Sequence, residues 1–522
     1  MKRTLALMLA TLMMLTALVG CGGSSGSSDS ATTDDTAATT EAEWDGTITI
    51  VQSSDIIGWD PCASADVNTK NCMKNLLNRT FETDENLKAI PIMVESYEQI
   101  DDLNWTFTLK EGIKFFDGTP CTAEDVKFSI MRARSTSSSG KSLYGPIEEF
   151  NVVDDRTFTI KTANVYNSLP TALSNTSGAV LSQAWVEKAD AGECTWEDVM
   201  KNGATGRYYL GEHVIGDHVT LIANKDYFDF DTDGAKNEQL IFKVIPEATT
   251  RTIMVQTGEA DVNVNFDTVA MADCMADPNV QVIQHDSSRI DLLILNTASD
   301  AFSNKLVRKA VAYAVNRDDC LSVGAEGYGA VCYSSLSPST EGYVDNPSGY
   351  EYNVEKAKEL MAEAGITSLD VKAAVKTDAE ERIMQVVQAN LKEIGINLTF
   401  SRVDNTVLTE LMANNEYDMC MNAYAHYQDP ELFYGRYLGT TGIGANNYAH
   451  YQSADADAAI AAAATTDAAV RQASLEDLCT IICDDLPWVG LYTEELYCLA
   501  RTGVKGVNMN LETTYWYHTI CY

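Results

Sequence analysis

The chain has 522 residues, 45% of them hydrophobic, with 37 basic against 75 acidic side chains and a net charge of −38. That length exceeds what one compact core can organise and implies two or three domains. The acidity excludes a nucleic-acid partner, which needs a basic surface to displace counterions from phosphates.

Lys2 and Arg3 open the chain, and an uncharged apolar run follows from Leu5 to Val19. This run falls short of the roughly 20 residues of a membrane-spanning helix. A charged start, a short apolar centre and a small residue before the cut describe a secretory signal. "LVGC" resembles the bacterial lipobox, so residues 1–20 are expected to be a signal peptide and Cys21 the lipidation site. An ordinary signal peptide with an incidental cysteine is the alternative. The Gly/Ser/Thr/Asp tract that follows has too few apolar groups to offset its ordering entropy, so residues 21–44 are expected to be a lipid-anchored flexible linker. Gly22, Ser24 and Gly26 match the G-x-S-x-G pattern, but that motif needs a strained strand-to-helix turn and this tract supplies none.

Along the folded part, "TITIVQ" alternates as a strand. In "NWTFTLKEGIKFFDGTP", Trp105, Phe107 and Leu109 alternate, a turn falls at Glu111-Gly112, and Ile113 and Phe115 resume the alternation, which predicts a hairpin. Thr122 and Asp125 form a capping-box signature ahead of a helix carrying Val126 and Ile130 on one face. "VVDDRTFTIKT" predicts a hairpin turning at Asp154-Asp155. Helices are expected in "EATTRTIMVQTG", "NKLVRKAVAYAVNRDDCL", "NVEKAKELMAEAG" and "RIMQVVQANLKEIG", with Gly258, Gly365 and Gly395 as stops and Asn353 as a cap. The strands "ADVNV", "INLTFSRV" and "LPWVGLYT" interleave with them, and the alanine-rich stretch before the last reads as two helices. Interleaving of this kind indicates α/β layers around a mixed sheet.

Of the 13 cysteines, none stand in C-x-x-C pairs or at zinc-ligand spacing. Cys62/Cys72 and Cys320/Cys332 are the nearest candidates for disulfides, with buried thiols as the alternative. H-E-x-x-H and G-x-G-x-x-G are absent, and "SGKS" lacks the first P-loop glycine, so no catalytic residue and no metal site is assigned and no cofactor is expected.

"IPIMVESYEQIDDLNWTFTLKEGIKFFDGTPCTAEDVKFSIMRAR" resembles the large extracytoplasmic solute-binding proteins of peptide and nickel ABC importers, family 5. "VQTGEADV", "LVRKAVAYAVNRDD", "YNVEKAKELMAEAG" and "LKEIGINL" also fit, while "TGRYYL" departs from the usual "GTGPY" in having Arg207 in place of proline. The resemblance extends from about Gly46 to the C-terminus. It implies a type II periplasmic-binding-protein-like α/β fold: two lobes with a hinge plus an inserted smaller subdomain. The expected boundaries are lobe I in 45–75, 205–288 and 490–522, subdomain II in 76–204, and lobe III in 289–489. Crossings are expected near Gln284 to Leu292 and Pro487 to Thr493.

The resemblance further implies an ABC-importer receptor on the extracytoplasmic face of the cell membrane, held there by its lipid. It would capture small peptides or peptide-like solutes for a permease pair with cytoplasmic ATPases. A monomer is expected. A receptor for nickel chelates or another non-peptide solute, or a sensory lipoprotein, is the alternative. Peptide-binding members carry an aspartate four residues before a conserved proline to pair with the peptide ammonium; counting back from Pro430 gives His426. The candidate ligand contacts are therefore His426 with its neighbours Tyr424, Tyr427 and Asp429; Asp66, Asn68 and Thr69 after "WDP"; Asn447 and Tyr448; and Lys376, where some dipeptide binders place an arginine for the terminal carboxylate. For His426 the alternatives are a bystander facing solvent or a ligand to a metal or metal chelate, and for the others ordinary packing is the alternative.

Overall fold

The computed structural model describes residues 46–63, 66–425, 429–511 and 513–522. The expected signal peptide, Cys21 and the linker lie outside them.

Two large mixed sheets and a smaller antiparallel one organise the chain. The first has seven strands in the order Val280–His285, Leu496–Arg501, Val262–Asn263, Thr47–Gln52, Gln239–Val244, His218–Ala223 and Tyr208–Val214. The second has six, in the order Gly329–Val331, Trp488–Glu494, Arg289–Leu295, Met419–Ala425, Leu369–Val375 and Ile396–Arg402. In its central strand, Ile290, Leu292 and Ile294 enter one core while Leu293 and Leu295 enter the other. Alternate side chains point to opposite faces, so an unbroken apolar run marks a strand covered on both sides. The third sheet pairs Val94–Gln99, Asn104–Leu109, Thr157–Thr162 and Ile147–Val152 within the insert.

The local signals act as the residues require. Asp125 accepts from the Thr122 backbone N–H at 3.0 Å and closes the capping box of helix Ala123–Thr136, whose Val126 and Ile130 are fully buried. Asn353 caps helix Val354–Glu363 by accepting from the Lys356 N–H at 3.0 Å. Gly258, following helix Ala248–Thr257, takes φ +82°, a left-handed conformation that costs a glycine little. The Asp154 turn joins strands Ile147–Val152 and Thr157–Thr162 as expected.

The hairpin expected at 113–115 does not form. Strand Asn104–Leu109 is already paired on both edges, by Val94–Gln99 and Thr157–Thr162. Ile113 and Phe115 instead drop into the insert's core from a tight loop, in which the Phe115 N–H donates to Thr119 O and the Gly118 N–H to Phe115 O. The helix expected across 304–321 is two helices, Lys305–Ala314 and Arg317–Gly324, parted at Asn316, whose side chain caps the second.

The chain passes from the seven-stranded to the six-stranded sheet between His285 and Arg289 and returns between Glu494 and Leu496. The return therefore lies beyond the expected 487–493 segment: Trp488–Glu494 pairs entirely within the six-stranded sheet, and residues 490–494 belong to that lobe. The insert's own core runs from Phe81 to Val180, whereas Leu181, Val186, Val199, Met200 and Ala204 pack with the seven-stranded sheet. The twelve cysteines among the described residues are free thiols, including both members of the two candidate pairs.

Candidate functional site

Two adjoining cavities of about 420 and 400 Å³ lie where the insert and the two lobes meet. Asp429, Ser168 and Thr171 belong to both walls. The first chamber takes Leu87, Lys88 and Tyr97 from the insert, Ser288 from the first crossing, and Glu341 and Arg471 from the six-stranded lobe. The second takes one face of helix Val67–Leu76, at Val67, Lys70, Asn71 and Lys74, and closes with Thr513 and Thr514 near the C-terminus.

Asp429 stands at the partition. It is the N-cap of helix Pro430–Tyr437, accepting from the Glu431 N–H at 2.9 Å. Its Oδ1 also accepts from Arg471 Nη2 at 2.6 Å, and both side chains are buried. Arg471 pairs with Glu341 at 3.2 Å as well. Burial pulls the Arg471 guanidinium down, but Asp429 and Glu341 outweigh this and hold it above its ordinary value. Asp429 therefore reaches the cavities with its charge already matched by the protein.

Glu431, beside it, is pushed up to about 7 by burial and then by the Asp429 carboxylate, against the pull of Arg471. Between the unfolded value near 4.5 and about 7, the folded chain keeps a proton that the unfolded chain has released, so stability falls as pH rises through this window. Glu431→Gln removes the penalty. We expect little change in melting temperature at pH 4.5 and a gain equivalent to about 2–3 kcal/mol at pH 8. Equal gains at both pH values would refute the assignment.

The other sequence candidates have structural partners. Asp66 caps helix Val67–Leu76 through the Thr69 N–H at 2.8 Å. Asn68 donates to Ser54 Oγ at 2.9 Å, and Thr69 Oγ1 accepts from the Ile57 N–H at 3.1 Å. These three brace the loop before the helix, while Val67, Lys70, Asn71 and Lys74 face the cavity. The i, i+3, i+4, i+7 spacing of those four was the available signal. Tyr424 is buried in an aromatic cluster, stacked on Trp488 with ring centroids 5.1 Å apart and near Phe433 and Tyr437. Asn447 is buried and closes a turn, donating to Gly439 O and Tyr451 O at 3.1 and 2.9 Å. Tyr448 packs against the same core as Tyr424. Lys376 donates to Asn422 Oδ1 at 2.7 Å and pairs with Glu380 at 3.5 Å. His426 and Tyr427 lie outside the described residues. Of the remaining eight candidates, Asp429 is the one on the cavity walls. Arg471, Ser168, Thr171 and the lysines of both chambers carried no sequence motif.

Among the described residues, no group of three or more His, Cys, Asp or Glu side chains could hold a metal ion, and no helix is long and apolar enough to cross a membrane.

Residues 88–445 match the family described as bacterial extracellular solute-binding proteins, family 5 Middle. The chain belongs to this family. This solute-binding protein is 26% identical over 543 residues to "Heme-binding protein A" of Haemophilus influenzae, covering 97% of this chain and 96% of that one. It is 24% identical over 478 residues to "Glutathione-binding protein GsiB" of Salmonella typhi, covering 88% and 91%. Its fold matches the periplasmic binding protein DppA of Helicobacter pylori, solved with the peptide STSA, at a TM-score of 0.73 and 22% identity, covering 91% of this chain and 98% of that one. The periplasmic-binding-protein architecture implied by the sequence motifs is thus the architecture of the solute-binding protein.

Proposed function

We propose that the chain is the receptor of an ABC importer, tethered by lipid on Cys21 to the extracytoplasmic face of the cell membrane. It captures a small peptide or peptide-like solute and presents it to a permease pair driven by cytoplasmic ATPases. The observation that carries this reading is the pair of adjoining cavities walled jointly by the insert and both lobes, with two crossings joining the large sheets. A solute filling them contacts surfaces that separate when the lobes part. Its binding energy then favours the closed arrangement, which is a population shift about a hinge.

The walls suit a solute read largely through its backbone. Ser168, Thr171, Ser174 and Thr176 offer hydroxyls that both donate and accept, and Tyr97 offers a flat apolar face. Micromolar binding requires about 8 kcal/mol, within reach of a set of buried hydrogen bonds after ordering costs. The reading assigns no covalent step to the protein, and His426 is taken as a donor toward the solute.

Thermal melts with peptide pools, nickel chelates and sugars test it. A rise in melting temperature with peptide pools alone is expected, because a ligand bound to the folded state stabilises it by mass action. A rise with nickel chelates or sugars alone would replace the peptide reading, and turnover of any of them would end the receptor reading.

A further inference from the structure

The ligand's charge can be argued one step further, resting on the receptor reading above. The charged side chains lining the two chambers are Lys70, Lys74, Lys88, Arg471, Glu341 and Asp429. Both carboxylates are held by Arg471. Lys74 Nζ donates to Thr514 Oγ1 at 2.6 Å, and among the described residues neither Lys70 nor Lys88 forms an ion pair, although the Lys88 backbone N–H donates to the Asp84 carboxylate at 2.8 Å. A chain of net charge −38 therefore lines its cavities with an excess of positive charge.

A second observation lies behind the second chamber. A small pocket of about 20 Å³ shares Lys74, Thr83, Ser174 and Thr514 with it and is lined by Arg79. Arg79 is 3% exposed. Its Nη2 lies 3.0 Å from Glu82 Oε1, but Nε and Nη1 are buried with no hydrogen-bond partner. Buried guanidinium donors left unmade carry the full desolvation penalty, so an acceptor is expected to complete them. The pocket has room for one water or one carboxylate oxygen.

We propose that the solute is anionic, a small molecule bearing at least one carboxylate that is seated on Lys70, with the open edge of the Arg79 guanidinium behind it and Lys88 at the far chamber. Charge-assisted hydrogen bonds to a carboxylate are the strong ones, and they discriminate against neutral and cationic solutes. The protein's own pairing of Asp429 with Arg471 removes the counter-charge that a free ammonium would need.

Titration calorimetry with the purified protein tests this using N-acetylated Glu-Ala-Glu, its neutral Gln-Ala-Gln amide and the amide of Lys-Ala-Lys. The acidic tripeptide should bind tightest and the cationic one weakest. Lys70→Gln should weaken the acidic tripeptide about tenfold, with Lys88→Gln losing less, while the neutral one stays within about twofold and Lys70→Arg restores most of the loss. Equal binding of all three, or an affinity indifferent to Lys70 and Lys88, would overturn the anionic assignment and leave the peptide reading standing. Binding of citrate with the same Lys70 dependence, and of no peptide, would overturn the peptide reading and keep the anionic one. Binding of the neutral or cationic tripeptide without the acidic one overturns the anionic assignment alone, and failure of every probe overturns both.

Discussion

Glu82→Ala is expected to be among the most destabilising single changes in the protein, at about 3–5 kcal/mol at pH 7. Glu82 is buried at the start of the insert and lies 3.0 Å from both Arg79 and Arg207. Burial alone would raise its carboxyl, but Arg207 and Arg79 outweigh that and bring it down to about 2. A depressed folded-state value contributes stability that is present above the unfolded value near 4.5 and is lost as pH falls toward 2. The shift corresponds to about 3 kcal/mol. Truncating the side chain leaves two buried cations without their shared partner, which costs more than the pair was worth. Urea unfolding from pH 3 to pH 7 should show the variant and the parent converging at the acid end. Arg207→Met in the Glu82→Ala background should recover part of the loss, and a pH-independent deficit would contradict this account.

This cluster also explains a departure in the sequence. Arg207 stands where the family motif has proline, and it pairs with Glu82 and with Asp233, while its Nε donates to Asp233 O at 3.0 Å. The residue ties the insert to the seven-stranded lobe.

The second large effect is expected from Arg471→Met. The substitution leaves the buried Asp429 carboxyl at the partition of the two chambers without its cationic partner, with Glu341 also unpaired. A loss of about 3 kcal/mol is expected, largely recovered when Asp429→Asn is added. The single variant should also gain affinity for a free-amine peptide such as tri-alanine, because the bare carboxylate supplies the missing counter-charge. Calorimetry showing weaker binding of tri-alanine to a folded Arg471→Met protein would argue against Asp429 facing the solute.

The fold was legible in the sequence wherever a local rule sufficed. The Thr122 capping box, the Asn353 cap and the Gly258 stop each need a few consecutive residues, and each is present. Where pairing depends on distant segments, local alternation misled. Ile113 and Phe115 alternate like a strand, but the edge they would join is occupied. The crossing after Glu494 was misplaced for a similar reason: Trp488–Glu494 is buried on both faces, and an unbroken apolar run does not say which sheet it enters.

The site was less legible still. Its walls come from the helix at 67–76, the loop at 86–89, the segment around 168–176, Glu341 and Arg471, which no motif connects. Family position pointed to Asp66, Asn68 and Thr69, yet a residue's place in a motif does not fix its direction. Thr69 and Lys70 are consecutive, yet they sit on different faces of helix Val67–Leu76, and Lys70 and Lys74 line the cavity. Asn447 and Lys376 likewise looked like solute contacts but close hydrogen bonds within their own lobe.

The central claim is that the cavities between the lobes take up a small solute and release it unchanged. Native mass spectrometry of the purified protein mixed with an acetylated Glu-C digest of an unrelated protein tests it most directly. The account predicts one-to-one adducts whose ejected ligands keep the masses of peptides in the digest, enriched in acidic sequences. Bare protein throughout, or ejected ligands that are new cleavage products, would contradict it.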